Sequence, residues 1–326
     1  MKLLRCLLAL VAAAVLFAGC GEGGGAETGE ERPRAPEGTR TLSLAIDGAP
    51  GPEVAGVLVA YERGYFADAG IDAAITTPLT PSRPLSYVLN GSVDVGISHQ
   101  PQVVMAQEKG AGVVAFGTLV PEPTMSMIWL KGSRIGGISD LKGKTVAVPG
   151  VPFQTSFLEA VLRRAGLTLD DVKLERVEHD LVPALVSGRA DAVFGGSWNV
   201  EGAELQARGL QPVVTRVQDL GVPPYDELVL VARRYRLSKE PELFRRVMAA
   251  VRRGTAAAIA DPEAATRAIV DERYAESYPE NRKAIRAGVE KTLPLLSRTG
   301  DTRPGQADRL VDWMYEQGLI SSRSLR

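Results

Sequence analysis

The sequence predicts an α/β protein made of two similar lobes. Short β-like segments alternate with helical segments from Thr41 onward, and the alternation starts again near Leu141. Several helical segments end at a glycine, the residue that most readily adopts the left-handed conformation that ends a helix. Strands separated by helices of this length favour parallel pairing with right-handed crossovers. The pattern therefore indicates two parallel α/β units in one chain.

One passage occurs twice, about 100 residues apart, and supports the duplication. Residues 88–97 align with residues 185–194: each copy has the end of a helix, a glycine, an aspartate and a short apolar strand. The glycines are Gly91 and Gly188, and the aspartates are Asp94 and Asp191. A single repeat at this spacing indicates a duplicated lobe and not the short period of a solenoid.

The elements follow in a regular order. The predicted strands are residues 41–46, 71–77, 93–97, 112–119, 145–148, 172–177, 191–194 and 227–232. The predicted helices are residues 54–63, 84–90, 101–109, 155–165, 182–187, 241–259, 262–271, 281–295 and 306–317.

The first twenty residues predict an export signal that ends in a lipid-attachment cysteine. Two basic residues precede an apolar run from Leu7 to Phe17, too short to span a bilayer, and Ala18-Gly19-Cys20 follows. The stretch resembles the bacterial lipobox; an ordinary secretory signal with an incidental cysteine is the alternative. Residues 21–40 are polar and glycine-rich, which predicts a flexible tether. The expected location is extracytoplasmic, anchored to the cell membrane through the acylated Cys20.

Composition excludes several classes of function. Only Cys6 and Cys20 are cysteines, and Cys6 would leave with the signal, so no disulfide or thiolate site is expected. Without Lys2 and Arg5 the chain has 36 basic and 39 acidic residues, a formal charge of −3, with no basic patch for nucleic acid. Paired His or Cys spacing is absent, so neither a metal site nor a cofactor is expected.

Four segments resemble the substrate-binding lipoproteins of ABC importers for thiamine-type pyrimidines and sulfonates. They are residues 59–71, 91–97, 140–148 and 184–193, and the likeness extends from about Leu42 to about Ile269. The resemblance implies the type II periplasmic-binding fold, with two lobes joined by two crossing strands at residues 125–130 and 227–232. It also implies residues 41–123 as the first part of lobe 1, 124–225 as lobe 2, and 226–326 as the second part of lobe 1 with the C-terminal helices.

Two further segments, residues 195–201 and 221–228, are similar to the pyrimidine-binding members of that family. Those members usually open with Trp-Thr-Pro-Asn-x-x-His-x-Gly, whereas the same place here begins at Gly48 and has Val54 where the histidine stands. The ligand is therefore a thiamine-type pyrimidine, a bulkier compound or another nitrogen heterocycle.

Ligands of such folds bind at the carboxyl ends of strands, in the crevice between the sheets. Trp198 offers a flat face for an aromatic ring, while amide and carboxylate groups suit ring amino groups and repel a sulfonate. The loop that opens the helix after residue 148 is either an anion or carbonyl site or a plain helix cap. The candidate ligand-binding residues are Asp47, Pro50, His99, Gln100, Gln154, Thr155, Ser156, Trp198, Asn199, Glu201 and Tyr225.

The predicted function is the extracytoplasmic solute-binding component of an ABC importer, expected to act as a monomer with a permease and its ATPase. A receptor for a sulfonate, nitrate or riboflavin-like ligand and a ligand-sensing module remain alternatives. An enzyme like the fungal pyrimidine synthases, which share this fold, is the third class. Those enzymes rely on a Cys-rich run that is missing here, and no Gly-x-Ser-x-Gly elbow is present, so no catalytic residues are expected.

Overall fold

The computed structural model describes residues 39–46, 50–77, 83–177, 180–270 and 282–324. The predictions for the export signal, for Cys20, for nearly all of the tether and for Asp47 lie outside these residues. No helix within the described ranges is long and apolar enough to cross a membrane.

The strands match the predicted positions closely, apart from one that was not predicted, residues 212–216. They are β1 (Arg40–Ala45), β2 (Ile71–Thr76), β3 (Val95–Ser98), β4 (Val113–Val120), β5 (Met125–Leu130), β6 (Thr145–Val148), β7 (Lys173–Arg176), β8 (Ala192–Ser197), β9 (Pro212–Arg216) and β10 (Leu228–Arg233).

The longer predicted helices are present, and three shorter ones add to them. They are α1 (Ala55–Glu62), α2 (Tyr65–Asp68), α3 (Arg83–Asn90), α4 (Gln100–Glu108), α5 (Pro152–Arg164), α6 (Leu181–Val186), α7 (Glu201–Ala207), α8 (Arg234–Lys239), α9 (Pro241–Ala260), α10 (Pro262–Val270), α11 (Arg282–Thr292) and α12 (Gln306–Glu316).

The strands form two sheets of the same design. The first has the order β2-β1-β3-β10-β4 and the second the order β7-β6-β8-β5-β9. We call each sheet with the helices packed on it the first and the second lobe. The chain passes from the first sheet to the second between β4 and β5, and returns between β9 and β10. The two crossing strands predicted from the sequence are therefore β5 and β10.

The prediction of parallel pairing throughout is wrong for part of each sheet. β1 pairs in parallel with β2 and β3, and β6 with β7 and β8. However, β10 runs antiparallel to both β3 and β4, and β5 runs antiparallel to both β8 and β9. The reason is that each crossing strand arrives from the other lobe and inserts between two strands of its sheet.

The two copies of the repeated passage share the same hydrogen bonds. Asp94 accepts a bond from the backbone N–H of Ser43 through Oδ2, at 2.9 Å. Asp191 accepts the equivalent bond from the N–H of Thr145, also at 2.9 Å. In both lobes the aspartate therefore joins the strand that follows it to a neighbouring parallel strand: β3 to β1 in the first lobe and β8 to β6 in the second. This shared role explains why the aspartate is present in both copies.

Each lobe has its own apolar core. In the first lobe α1 crosses α9 so closely that a Cβ on Gly254 would overlap the backbone of α1. In the second lobe Phe153 and Phe157 of α5 are fully buried under the sheet. The C-terminal helix α12 joins this second core, where the Trp313 ring lies edge-on to Phe157 at 4.8 Å.

Candidate functional site

A buried carboxylate, Glu227, joins both crossings of the chain. It stands directly before β10, and its Oε2 accepts bonds from the backbone N–H groups of Thr124 (2.7 Å) and Met125 (3.2 Å), where β5 begins. The Tyr225 hydroxyl donates to the same oxygen at 3.3 Å. Burial alone would raise the pKa of Glu227, but the hydrogen bond and charge of His99, with the two backbone donors, lower it below its usual value. The group is thus held ionised at the hinge.

His99 links this hinge to the second lobe. Its Nδ1 lies 2.9 Å from Glu227 Oε1 and 3.0 Å from the Glu227 carbonyl oxygen. Because both partners are acceptors, Nδ1 carries a proton and the ring is fixed in orientation. The ring also lies 5.1 Å from that of Phe153, at the start of α5 in the other lobe. His99 therefore spans the boundary between the lobes at the carboxyl end of β3.

A second contact between the lobes is built around Asn199. This residue follows β8 and is completely buried. Its Nδ2 donates to Thr292 Oγ1 at 2.7 Å and, more weakly, to Glu53 Oε1 at 3.3 Å, both in the first lobe. Its Oδ1 is buried and has no hydrogen-bond partner. Gly288 on α11 allows the approach, since a Cβ there would lie 3.6 Å from the Asn199 carbonyl oxygen.

Two carboxyl groups flank Asn199. Glu201 begins α7 and accepts a short bond of 2.6 Å from the backbone N–H of Ser197. Burial, with a smaller contribution from the nearby Glu53, raises the pKa of Glu201 to about 7 against the lowering effect of the Ser197 N–H bond. Burial likewise raises the pKa of Glu53 to about 7, opposed by its own backbone N–H and by Asn199. Near neutral pH, both groups therefore exchange between the protonated and the ionised form.

Trp198 and Gln154 both lie near the end of β8. The Trp198 ring is half-buried, and the Arg216 guanidinium covers one of its faces at 4.2 Å from the centroid. Gln154 is buried and donates weakly to the Gly195 carbonyl oxygen at 3.5 Å, while its Oε1 has no partner. Gly195 has a φ of 98°, and a Cβ there would come within 2.9 Å of Gln154 Oε1. Only glycine both adopts this positive φ readily and leaves room for the Gln154 side chain.

The other predicted residues have supporting contacts. Gln100 Oε1 accepts the backbone N–H of Asp226 at 2.8 Å, which braces the hinge. Tyr225 is fully buried and lies edge-on to Phe157. The remaining residues are the buried Pro50 and the half-buried Thr155 and Ser156, and Ser156 Oγ donates to the Pro152 carbonyl of its own helix at 3.3 Å. Their role as ligand contacts stays a prediction.

The structure thus brings His99, Asn199 and Glu201 together and adds Glu53 and Glu227, which the sequence reasoning missed. Each is an acid at the edge of an apolar run: Glu53 precedes the buried α1, and Glu227 precedes β10. This position could have marked both acids as candidate site residues, because a charged group that is buried must find partners. Among the described residues, no group of three or more His, Cys, Asp or Glu side chains is arranged to hold a metal ion.

Comparison with known proteins gives consistent results. The model of the family described as NMT1/THI5 like matches residues 51–265. The formylaminopyrimidine-binding protein of Halalkalibacterium halodurans is 30% identical over 260 residues, covering 80% of this chain and 78% of that protein. The 4-amino-5-hydroxymethyl-2-methylpyrimidine phosphate synthase of Legionella pneumophila is 28% identical over 262 residues, covering 79% and 80%.

Among solved structures, the periplasmic aliphatic sulphonate binding protein SsuA from Escherichia coli superposes with a TM-score of 0.69. It is 18% identical, and the match covers 87% of this chain and 89% of that protein. At this identity the match establishes the fold, which is that of a periplasmic binding protein.

Proposed function

Because the chain belongs to the NMT1/THI5-like family, we propose that it is the substrate-binding component of an ABC importer for a pyrimidine related to thiamine precursors. The observation that carries this proposal is the set of acceptors at the end of β8. Asn199 Oδ1 and Gln154 Oε1 are buried without partners: Asn199 directly follows β8, and Gln154 contacts Gly195 within it. Buried acceptors favour a ligand that brings N–H groups, as the amino groups of a pyrimidine do.

We further propose that Trp198 stacks on the pyrimidine ring. Its indole lies at the end of β8, and the Arg216 guanidinium occupies one face, so a ligand would use the other. Stacking contributes about 0.5–1.5 kcal/mol beyond the burial of area. Asn199, Glu201 and Gln154 would then hold the ring amino groups.

The proposed working cycle is a hinge motion about the two crossings. The sequence assigns residues 41–123 and 226–326 to one lobe and residues 124–225 to the other, but the C-terminal helix α12 packs on the second core and would move with the second lobe. Glu227 lies at the pivot, where it bonds to the start of β5. Ligand held between the lobes favours the closed form because only that form contacts it from both sides. We propose that the permease recognises the closed form, in a chain anchored outside the membrane by acylated Cys20.

A receptor is proposed in preference to an enzyme, although relatives include named synthases. The only histidine among the described residues, His99, has its Nδ1 engaged by a hinge carboxylate. The chain has two cysteines, Cys6 and Cys20, and both lie in the predicted export signal, so a thiol is not expected at the site. These features favour capture of a solute without chemistry.

Thermal unfolding of the full-length chain in mild detergent tests the proposal. The ligand panel is 4-amino-5-hydroxymethyl-2-methylpyrimidine, an alkanesulfonate, nitrate and riboflavin. A ligand present at 100 times its Kd adds about 2.7 kcal/mol, or roughly 5–10 °C in Tm for a chain of this size. We expect this shift with the pyrimidine; a shift with the sulfonate, nitrate or riboflavin alone would keep the receptor and contradict the pyrimidine.

A paired variant locates the site. Trp198→Ala combined with Glu201→Ala should abolish the pyrimidine shift while the unliganded protein still unfolds cooperatively. The matched control, Tyr235→Ala with Glu159→Ala, removes an exposed aromatic side chain and an exposed acid that are not among the candidate site residues, and it should keep the full shift. A pyrimidine shift that survives in the first variant would show that the site lies elsewhere.

A further inference from the structure

The cluster at the end of β8 contains more hydrogen-bond acceptors than donors. Its members, here called the acceptor cluster, are Glu53, Gln154, Asn199 and Glu201. Asn199 Oδ1 and Gln154 Oε1 lack partners, although Asn199 is completely buried and Gln154 is 5% exposed. Buried acceptors that lack a donor are costly, so a site that keeps several of them is suited to a ligand that supplies the donors.

Glu53 is the least satisfied carboxyl of the site. Glu227 receives bonds from His99, from Tyr225 and from the two N–H groups at the start of β5. Glu201 receives a short bond from Ser197 N–H. Glu53 has the long bond of 3.3 Å from Asn199 and its own backbone N–H. A ligand that contributes a donor therefore gains most at Glu53.

The charges around Glu53 do not neutralise it. His99 and Glu227, which face it from the ends of β3 and β10, form an ion pair with each other at 2.9 Å. On α11, Lys291 donates to Gln206 at 2.5 Å, and on α10 Glu263 pairs with Arg286 at 2.8 Å. The remaining titratable neighbour in the cluster is Glu201, which is also an acid. Below about pH 7, Glu53 is therefore mostly protonated, and a ligand cation beside it would favour its ionised form.

We infer that Glu53 is a specificity-determining residue that selects a positively charged nitrogen heterocycle and gives up a proton when that ligand binds. The inference rests on the proposed function and adds the charge of the ligand to it. The step is a simple exchange: the neutral carboxyl loses its proton to solvent, and the carboxylate that remains pairs with the ligand cation. An anionic sulfonate would instead meet the carboxyl groups of Glu53 and Glu201 and be repelled.

The raised pKa of Glu53, about 7, is consistent with this exchange, because at pH 6.5 most of the population carries the proton that binding would release. A ligand cation beside the carboxyl lowers its pKa, and the proton leaves at constant pH. Replacement by glutamine keeps the shape of the side chain but has no proton to release.

Titration calorimetry of the full-length chain at pH 6.5, in phosphate and in bis-tris buffer, measures both affinity and proton release. The two probes are 4-amino-5-aminomethyl-2-methylpyrimidine, which carries an ammonium, and the neutral 5-hydroxymethyl analogue. We expect the wild type to bind the cationic probe at least roughly 10-fold more tightly. The difference in heat between the buffers should correspond to roughly one proton released per probe.

The Glu53→Gln variant should lose roughly 10-fold of this preference and release less than about half as many protons. Glu53→Asp retains a carboxyl and should retain the proton release, which separates titration from a change in packing. The control is Glu159→Gln, an exposed acid on α5 that pairs with Arg163, and it should behave as the wild type.

Equal proton release by the wild type and Glu53→Gln would overturn the role of Glu53. Equal affinity of the wild type for the two pyrimidines would overturn selection for a cation while leaving pyrimidine binding intact. If neither pyrimidine bound the wild type, the proposed function itself would fail, and this inference with it. Circular dichroism of each variant confirms that it is folded before any titration is interpreted.

Discussion

The two partly buried carboxyls, Glu53 and Glu201, predict that the unliganded protein becomes less stable as the pH rises from 5 to 8. Burial raises the pKa of both Glu53 and Glu201 from 4.5 to about 7. Below pH 4.5 the groups are protonated in the folded and the unfolded chain alike. Between 4.5 and about 7 the unfolded chain loses protons that the folded chain keeps, so folding stability falls with pH. Above about pH 7 both states are ionised and the loss is complete.

The size of the effect follows from the same interval. From 4.5 to about 7, at about 1.4 kcal/mol for each pH unit, each carboxyl contributes about 3 kcal/mol. The pair contributes about 3–6 kcal/mol, because part of the Glu201 shift comes from Glu53 and the two contributions overlap. Glu227 acts in the opposite direction, since its pKa is lowered and its contribution is lost only as the pH falls below 4.5. Measurements from pH 5 upward therefore exclude the effect of Glu227. Burial also raises the pKa of Asp226, so the substitutions below separate Glu53 and Glu201 from it.

Urea unfolding of the full-length chain at pH 5, 6, 7 and 8, followed by circular dichroism, measures this dependence. We expect the free energy of unfolding to decrease between pH 5 and 7 and to level off by pH 8. Combined Glu53→Gln and Glu201→Gln substitutions should remove most of the decrease, whereas the exposed Glu159→Gln should leave it unchanged. A wild-type stability that is flat or rises over this range would refute the burial of these two carboxyls.

Three substitutions test the packing and the hinge. Gly288→Ala places a Cβ 3.2 Å from Pro52 Cγ in the first lobe and 3.6 Å from the Asn199 carbonyl oxygen in the second. Ligand affinity should therefore drop roughly 10-fold by calorimetry. The melting temperature should not fall, because alanine favours the helix. Gly254→Ala overlaps the backbone of α1 and should lower the free energy of unfolding in urea by about 1–3 kcal/mol. The control, Gly112→Ala, has open space around it and should lower the free energy little. Equal losses of stability in the two variants would contradict the close crossing of α1 and α9. Glu227→Gln leaves buried backbone donors without a carboxylate and should cost about 2–3 kcal/mol; an unchanged urea midpoint would contradict its role at the hinge.

Much of the fold could be predicted from the sequence because its signals are local. The Gly-x-x-Asp passage occurs in both lobes, and its aspartates make equivalent bonds to Ser43 and Thr145. An apolar run of strand length located β10 to within one residue at each end, and the family resemblance located β5 to the residue. The antiparallel direction of those two strands was missed, since it depends on the route of the chain between the lobes. β9 was missed because its half-buried residues lack a clear alternation.

The site was predictable only in part, because its partners are distant in sequence. Trp198, Asn199 and Glu201 were found from one short motif at a strand end. Glu53 and Asn199 are 146 residues apart, and His99 and Glu227 are 128 apart. A lone acid in a sequence does not reveal which side chain it will meet, so Glu53 and Glu227 acquire their roles only when the lobes come together.

The most direct test is equilibrium dialysis of the full-length chain against an equimolar mixture of 4-amino-5-aminomethyl-2-methylpyrimidine and an alkanesulfonate, followed by mass spectrometry of what is retained. We predict about one pyrimidine per chain, recovered chemically unchanged, with the sulfonate left at its bath concentration. Retention of the sulfonate, retention of neither compound, or recovery of a converted pyrimidine would contradict the account of a receptor for a cationic pyrimidine.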